Sequence, residues 1–130
     1  MSENFAVEII SPDKSILKSE AVEVTIPSYE GQMGILKNHI SLITFLRPGL
    51  IIIKKNSEEK IFFVEDGTVE FANNNLLILT STAKSLDSLE KNSIDTIIKN
   101  SQDKISKGEI SDKEKYLLSH KIDTLREINQ

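Results

Sequence analysis

The chain has 130 residues, 38% of them apolar and 28% charged, with a formal net charge of -4. That is one typical domain or two small ones, and the acidic balance argues against a large basic footprint for nucleic acid. Cysteine is absent, which excludes disulfides, thiolate metal sites and cysteine nucleophiles, and apolar runs such as Leu50–Ile53 are far shorter than the roughly 20 residues of a spanning helix.

Phe5, Val7 and Ile9 alternate with Ala6 and Glu8, and Val22, Val24 and Ile26 with Glu23 and Thr25. This is the period-2 pattern of half-buried strands. Leu42, Thr44 and Leu46 form another such set. Leu50–Ile53, Ile61–Val64, Val69–Phe71 and Leu76–Leu79 are short runs rich in β-branched or aromatic residues. Turn formers separate them at Pro12-Asp13, Pro48-Gly49, Asn56-Ser57, Asp66-Gly67 and Asn73-Asn74-Asn75. Many short strands at roughly 8–12-residue spacing predict a sandwich or barrel of about eight to ten strands.

All three prolines precede residue 50, and Gly108 is the lone glycine after Lys84. The boundary is therefore placed at Lys84-Ser85, giving a β-sandwich over 1–84 and a helical unit over 85–130. Leu86, Leu89, Ile94, Ile97, Ile98 and Ile105 recur at three- and four-residue steps, as do Leu117, Leu118, Ile122 and Leu125. Gly108 ends the first helix, and Ser111-Asp112-Lys113-Glu114 is a capping box for the second. Helices over Leu86–Ser106 and Ser111–Ile128 would be roughly 30 and 27 Å long, packed as an antiparallel hairpin. The fold class expected is α+β. Each helix has one narrow apolar stripe, so the hairpin borrows stability from what it packs on. Such an element can change its docking partner.

Chemistry is sparse. The two histidines, His39 and His120, lie in different segments, and no nucleophile or orienting partner can be assigned near His39. GxxxxGK[ST], GxGxxG and HExxH patterns are absent. No catalytic residue, metal ligand or cofactor is expected. The N-terminus lacks a signal-peptide apolar region, so a soluble, cytosolic chain is expected, able to join a membrane complex through protein contacts.

The segment Glu30-Gly31-Gln32-Met33-Gly34-Ile35, followed by His39, Leu42 and Pro48-Gly49, resembles the epsilon subunit of bacterial F-type ATP synthase. Phe62-Phe63-Val64-Glu65-Asp66-Gly67-Thr68-Val69-Glu70-Phe71 matches a strand pair of that family, and Leu77–Ala83 its closing strand. Lys37 and Ser41 replace family prolines, and Asp66 replaces a glycine. The stretch Leu86-Asp87-Ser88-Leu89-Glu90-Lys91 aligns with a motif associated with ATP binding in some relatives. Its arginine position holds Glu90, whose charge would repel phosphate.

The resemblance implies a non-catalytic stalk subunit that couples the gamma subunit to the membrane c ring during ion-driven ATP synthesis. Its hairpin would extend toward the alpha/beta catalytic head and oppose ATP hydrolysis. It implies c-ring contact at Glu30, Gly31 and Gln32, and gamma contact at Ser11, His39 and Leu42. It places the regulatory charges of the hairpin at Lys113, Lys115, Lys121 and Arg126. The subunit would be peripheral, on the cytoplasmic face of the inner (plasma) membrane, with no nucleic-acid partner. The competing reading is a nucleotide sensor holding ATP between hairpin and sandwich. Against the individual sites stand plainer readings: a hairpin turn at Gly31, a turn histidine bonded to backbone at His39, and a solvated charged face on the second helix.

Overall fold

Alternating burial takes hold from the first strand. In a computed structural model that describes residues 3–128, Phe5, Val7 and Ile9 are buried in β1 (Phe5–Ile10), with Ala6 exposed between them. Nine further strands follow: β2 (Ser15–Ala21), β3 (Glu23–Ser28), β4 (Gly31–Leu36), β5 (Leu42–Leu46), β6 (Gly49–Lys55), β7 (Glu58–Val64), β8 (Gly67–Ala72), β9 (Asn75–Leu79) and β10 (Lys84–Ser85). Two helices close the chain, α1 (Lys91–Lys107) and α2 (Asp112–Ile128).

The strands form one sheet in the order β10-β7-β6-β3-β5-β8-β9-β1-β2, with β4 also paired to β3. The hinge of the sheet is β3. Its start pairs with β6 through Glu23–Thr25, and its last residue, Ser28, pairs with Leu46 of β5. There the sheet curls over on itself to give two layers. Between them lies a core that includes Phe5, Ile26, Ile35, Leu46, Ile51, Val64, Phe71 and Ile78. Phe5 and Phe71 meet edge to face at 5.6 Å, a favoured aromatic geometry. Gly49 sits at the hinge because a Cβ there would lie 2.4 Å from the Pro27 ring.

Asparagines build the tight turns. Asn38, Asn56, Asn73 and Asn74 all have positive φ, which asparagine tolerates better than most residues. The Asn38 N–H donates to the Asn74 side chain at 2.7 Å, and the Asn74 amide donates back to the Asn38 side chain at 3.1 Å. This ties the β4–β5 loop to the β8–β9 turn.

The helical unit starts later than the apolar spacing predicts. Leu86–Ser88 is one turn of 3-10 helix, and Leu89 is extended. The cause is upstream: Lys84 and Ser85 pair with Phe63 and Phe62 of β7, so the chain leaves the sheet as a strand. The Ser88 hydroxyl then bonds the Ser85 carbonyl at 2.7 Å, and the α-helix begins after Glu90. Gly108 caps α1 with a φ of 69°. The Ser111 hydroxyl accepts from the Glu114 N–H at 3.1 Å, the forward arm of the capping box. Charges follow the helix dipoles, with Lys104 and Lys107 at the end of α1 and Asp112 and Glu114 at the start of α2.

The hairpin docks on the outer side of β6 and β7. Its buried anchor is small: Phe63, Ile94 and Leu125, with Leu50, Leu89, Ile97, Ile98 and Ile128 half-buried around them. The inter-layer core is separate, and its buried members all lie between Phe5 and Ile78. The sandwich core therefore does not depend on the hairpin, while the hairpin depends on the sandwich.

Candidate functional site

The outward face of β5, β8 and β9 departs from the usual polar exterior of an antiparallel sheet. Ile43 and Phe45 of β5 are 71% and 60% exposed, and Leu79 of β9 is 45% exposed. Register places Phe45 beside Thr68, Thr68 beside Leu79, and Leu79 beside Ile10. One cross-strand row is thus apolar apart from a threonine. The next row, Ile43, Glu70, Leu77 and Glu8, alternates apolar and acidic. A groove of about 940 Å³ runs along the first row, lined by Ile10, Ser11, Tyr29, Phe45, Leu79 and Lys113. A contiguous apolar face with a polar rim marks a contact surface.

Of the three residues expected to meet gamma, Ser11 and His39 stand at the two ends of this face and Leu42 lies beneath it. Ser11 closes the β1–β2 turn at one end, where its hydroxyl accepts from the Lys14 N–H at 3.2 Å and lies 3.1 Å from the Lys14 carbonyl. His39 lies toward the other end. One ring nitrogen bonds the Ile40 carbonyl at 2.8 Å, and the ring stands edge-on to Phe71 at 6.0 Å. Leu42 points inward and packs on the core. Its strand neighbours Ile43 and Phe45 carry the exposed apolar surface. The alternating set Leu42, Thr44 and Leu46 is the inward one, as its period predicts, which turns the intervening Ile43 and Phe45 outward.

Glu30, Gly31 and Gln32 sit at the β3–β4 turn. Gly31 and Gln32 are the first residues of β4, paired with Ser28 and Pro27, so the connecting turn is just Tyr29-Glu30. The buried Ser28 hydroxyl donates to the Gly31 carbonyl at 2.7 Å and accepts from the Glu30 N–H at 3.2 Å. Gly31 has a φ of 120° with open space where a Cβ would stand. Backbone conformation alone thus asks for glycine there. Glu30 projects into solvent at this tip, whereas Gln32 lines a separate cleft against α2.

The four basic residues of α2 have different surroundings. Lys121 is paired with Glu65 of the sandwich. Lys113 lines the apolar groove. Lys115 and Arg126 are exposed. Exposed or half-exposed pairs of this kind contribute about 0–1 kcal/mol each, so they steer docking more than they hold it. A more specific contact lies one residue before Lys121. Arg47, on the β5–β6 connection, places one guanidinium nitrogen 2.8 Å from Nε2 and 3.1 Å from Nδ1 of His120. The Tyr116 ring meets His120 edge-on at 4.5 Å and stacks on Tyr29 at 6.0 Å. Burial holds the His120 pKa below its ordinary value; the Arg47 charge lowers it further and Asp123 opposes both. Among the described residues no group of His, Cys, Asp or Glu is arranged to hold a metal ion, and no helix is long and apolar enough to cross a membrane.

A β-sandwich with an apolar outer face and a docked helical hairpin narrows the comparison with known proteins. The family model described as ATP synthase, Delta/Epsilon chain, beta-sandwich domain matches residues 4–85. The chain belongs to this family. The ATP synthase epsilon chain of Pelagibacter ubique (strain HTCC1062) is 46% identical over 130 residues, covering 99% of this chain and 100% of the relative. The epsilon chain of Prochlorococcus marinus (strain AS9601) is 30% identical over 125 residues, covering 96% and 90%. Among solved structures, a chain of the Euglena gracilis mitochondrial ATP synthase OSCP/F1/c-ring assembly superposes with a TM-score of 0.83 at 15% identity, covering 100% of this chain and 84% of the other. That likeness establishes the shared fold. As an epsilon-family chain, the protein is a non-catalytic part of a rotary ATP synthase. The residues that distinguish it are accordingly those at its surfaces.

Proposed function

We propose that the chain is the central-stalk element that couples the gamma subunit to the c ring during ion-driven ATP synthesis. The apolar row Phe45–Thr68–Leu79 with Ile43 beside it carries this reading. In water such a face costs free energy roughly in proportion to its apolar area, and burial against a partner removes that cost. Gamma is the partner that fits: it is the stalk chain this family accompanies, and Ser11 and His39 supply polar groups at the two ends of the face. Leu42 contributes by holding β5 to the core. The Glu30-Gly31-Gln32 turn meets the c ring, with Glu30 as the projecting charge.

The division at 84/85 separates two roles in this scheme. Residues 1–84 clamp the stalk, and residues 85–130 act on the alpha/beta head. In the docked state described above the hairpin is held by a small anchor. Released, it presents Lys113, Lys115, Lys121 and Arg126 to acidic surfaces of the head and brakes hydrolysis. The chain sits peripherally on the cytoplasmic face of the inner membrane, held there by its protein partners. Affinity purification of the tagged chain from its own cells tests the assignment. Gamma is expected to co-purify in near-stoichiometric amount. Recovery of the chain alone would contradict the reading.

A further inference from the structure

The contact between Arg47 and His120 has a chemical asymmetry. Arginine has five N–H donors and no acceptor, and it stays protonated at any physiological pH. A neutral imidazole is uncharged and tolerates a guanidinium against its ring, whereas an imidazolium sets a second positive charge beside the first. One guanidinium nitrogen lies 2.8 and 3.1 Å from the two ring nitrogens. A single atom that near both cannot lie along the outward lone pair of either, so the guanidinium rests against the ring itself. That contact suits a neutral ring in either tautomer and is opposed by like charge once the ring is protonated.

The surroundings leave little room to evade this conflict. The Arg47 N–H is bonded to the Pro27 carbonyl at 3.0 Å. The chain then turns through Pro48 and Gly49, where Gly49 lies hard against Pro27. His120 is held from the other side by Tyr116, which is stacked on Tyr29. Other charged groups near the ring are Asp123 and Glu127, both on its own helix and lining the same cleft. Lys121, the next residue, is engaged with Glu65 of the sandwich. From the β-layer side the cleft is lined by Pro27, Gln32, Pro48, Gly49, Leu50 and Ile52, so Arg47 is its one charged group there.

We infer that Arg47 and His120 form a proton-sensitive latch, which holds the hairpin on the sandwich while His120 is neutral and loosens it when the ring takes up a proton. The inference concerns docking in the chain itself, so it stands or falls independently of whether a released hairpin brakes hydrolysis. The direction follows from linkage. Above about pH 6.5 the ring is neutral whether docked or released, and docking does not vary with pH through this group. Below that, the released form binds the proton more readily than the docked form, so docking weakens as pH falls. The loss levels off once the pH has dropped below the lowered pKa of the docked ring.

The absence of cysteine allows a clean test. Dyes are attached at Glu59→Cys on β7 and Asp103→Cys on α1, both exposed positions, in the full-length chain. Energy transfer is then followed in urea at several pH values. Between pH 7.5 and 5.5 the urea midpoint for loss of transfer should fall, by an amount equivalent to a decrease of up to about 10-fold in the docking constant. In His120→Gln the amide oxygen can accept from Arg47 at any pH, and the midpoint should stay level. A wild-type midpoint that does not fall, or a His120→Gln curve that falls in parallel, overturns the latch. A proton-resonance titration of the His120 ring in the unlabelled chain gives a second reading that needs no variant. The midpoint should lie lower in the native chain than in the urea-unfolded chain; an equal or higher native value overturns the proposal as well.

Discussion

Replacing Phe45 by glutamate is expected to abolish capture of gamma while leaving the sandwich folded. Phe45 is 60% exposed and stands at the β5 end of the apolar row, so little of its side chain supports the core. Exposed substitutions of this kind change stability by about 0.5 kcal/mol or less, and the thermal midpoint should move by only a few degrees. In the complex the same position is desolvated. Loss of an aromatic anchor there costs about 2 kcal/mol or more, and a carboxylate without a partner in an apolar contact adds a desolvation penalty of similar or greater size. Together these amount to a loss of roughly 1000-fold or more in affinity. The control is Ser57→Glu, which adds the same charge at the exposed β6–β7 turn and should leave gamma binding intact. Normal binding by Phe45→Glu would remove this face from the interface.

Truncation after Ser85 is expected to leave assembly intact and to raise ATP hydrolysis by the complex several-fold. The shortened chain keeps β10 and its pairing with β7, and it keeps every buried member of the inter-layer core. What it loses is the cover over Phe63 and Leu50. A newly exposed phenylalanine lowers solubility more than it lowers the stability of a core it does not belong to. The gain in hydrolysis arises because the element that would contact the head is gone. Hydrolysis assayed on complexes carrying full-length or truncated chain checks this, with gamma retention measured on the same preparations. Equal rates would remove the brake from the account and leave the clamp untouched.

The β1 and β3 cores are legible because Phe5, Val7 and Ile9 alternate with the small Ala6 and charged Glu8, and Val24 and Ile26 with Glu23 and Thr25, so one face is marked. The strand β4 is not. Gly31, Gln32 and Gly34 dilute its pattern, and it is defined by pairing with β3 along its whole length. On β2 the exposed Ser15, Lys18 and Glu20 interrupt the pattern, and pairing with β1 again supplies the order. The start of the first helix was misplaced because Leu86 and Leu89 satisfy helical spacing, yet a two-residue strand just before them fixes the chain direction. The candidate face was half legible. The alternation of Leu42, Thr44 and Leu46 already turns Ile43 and Phe45 outward, but only the tertiary fold shows that Leu79 stands in the same row as Phe45 and extends the apolar face. The Arg47–His120 contact joins residues 73 positions apart and has no local signature at all.

Coupling in membranes is the most direct measure of the central claim that this chain works through surfaces shared with its neighbours. Membrane vesicles whose synthase lacks this chain should hydrolyse ATP with little ion pumping. Adding back the purified full-length chain should restore pumping per ATP hydrolysed, and Phe45→Glu should not. Pumping that is equally efficient with and without the chain would contradict the account.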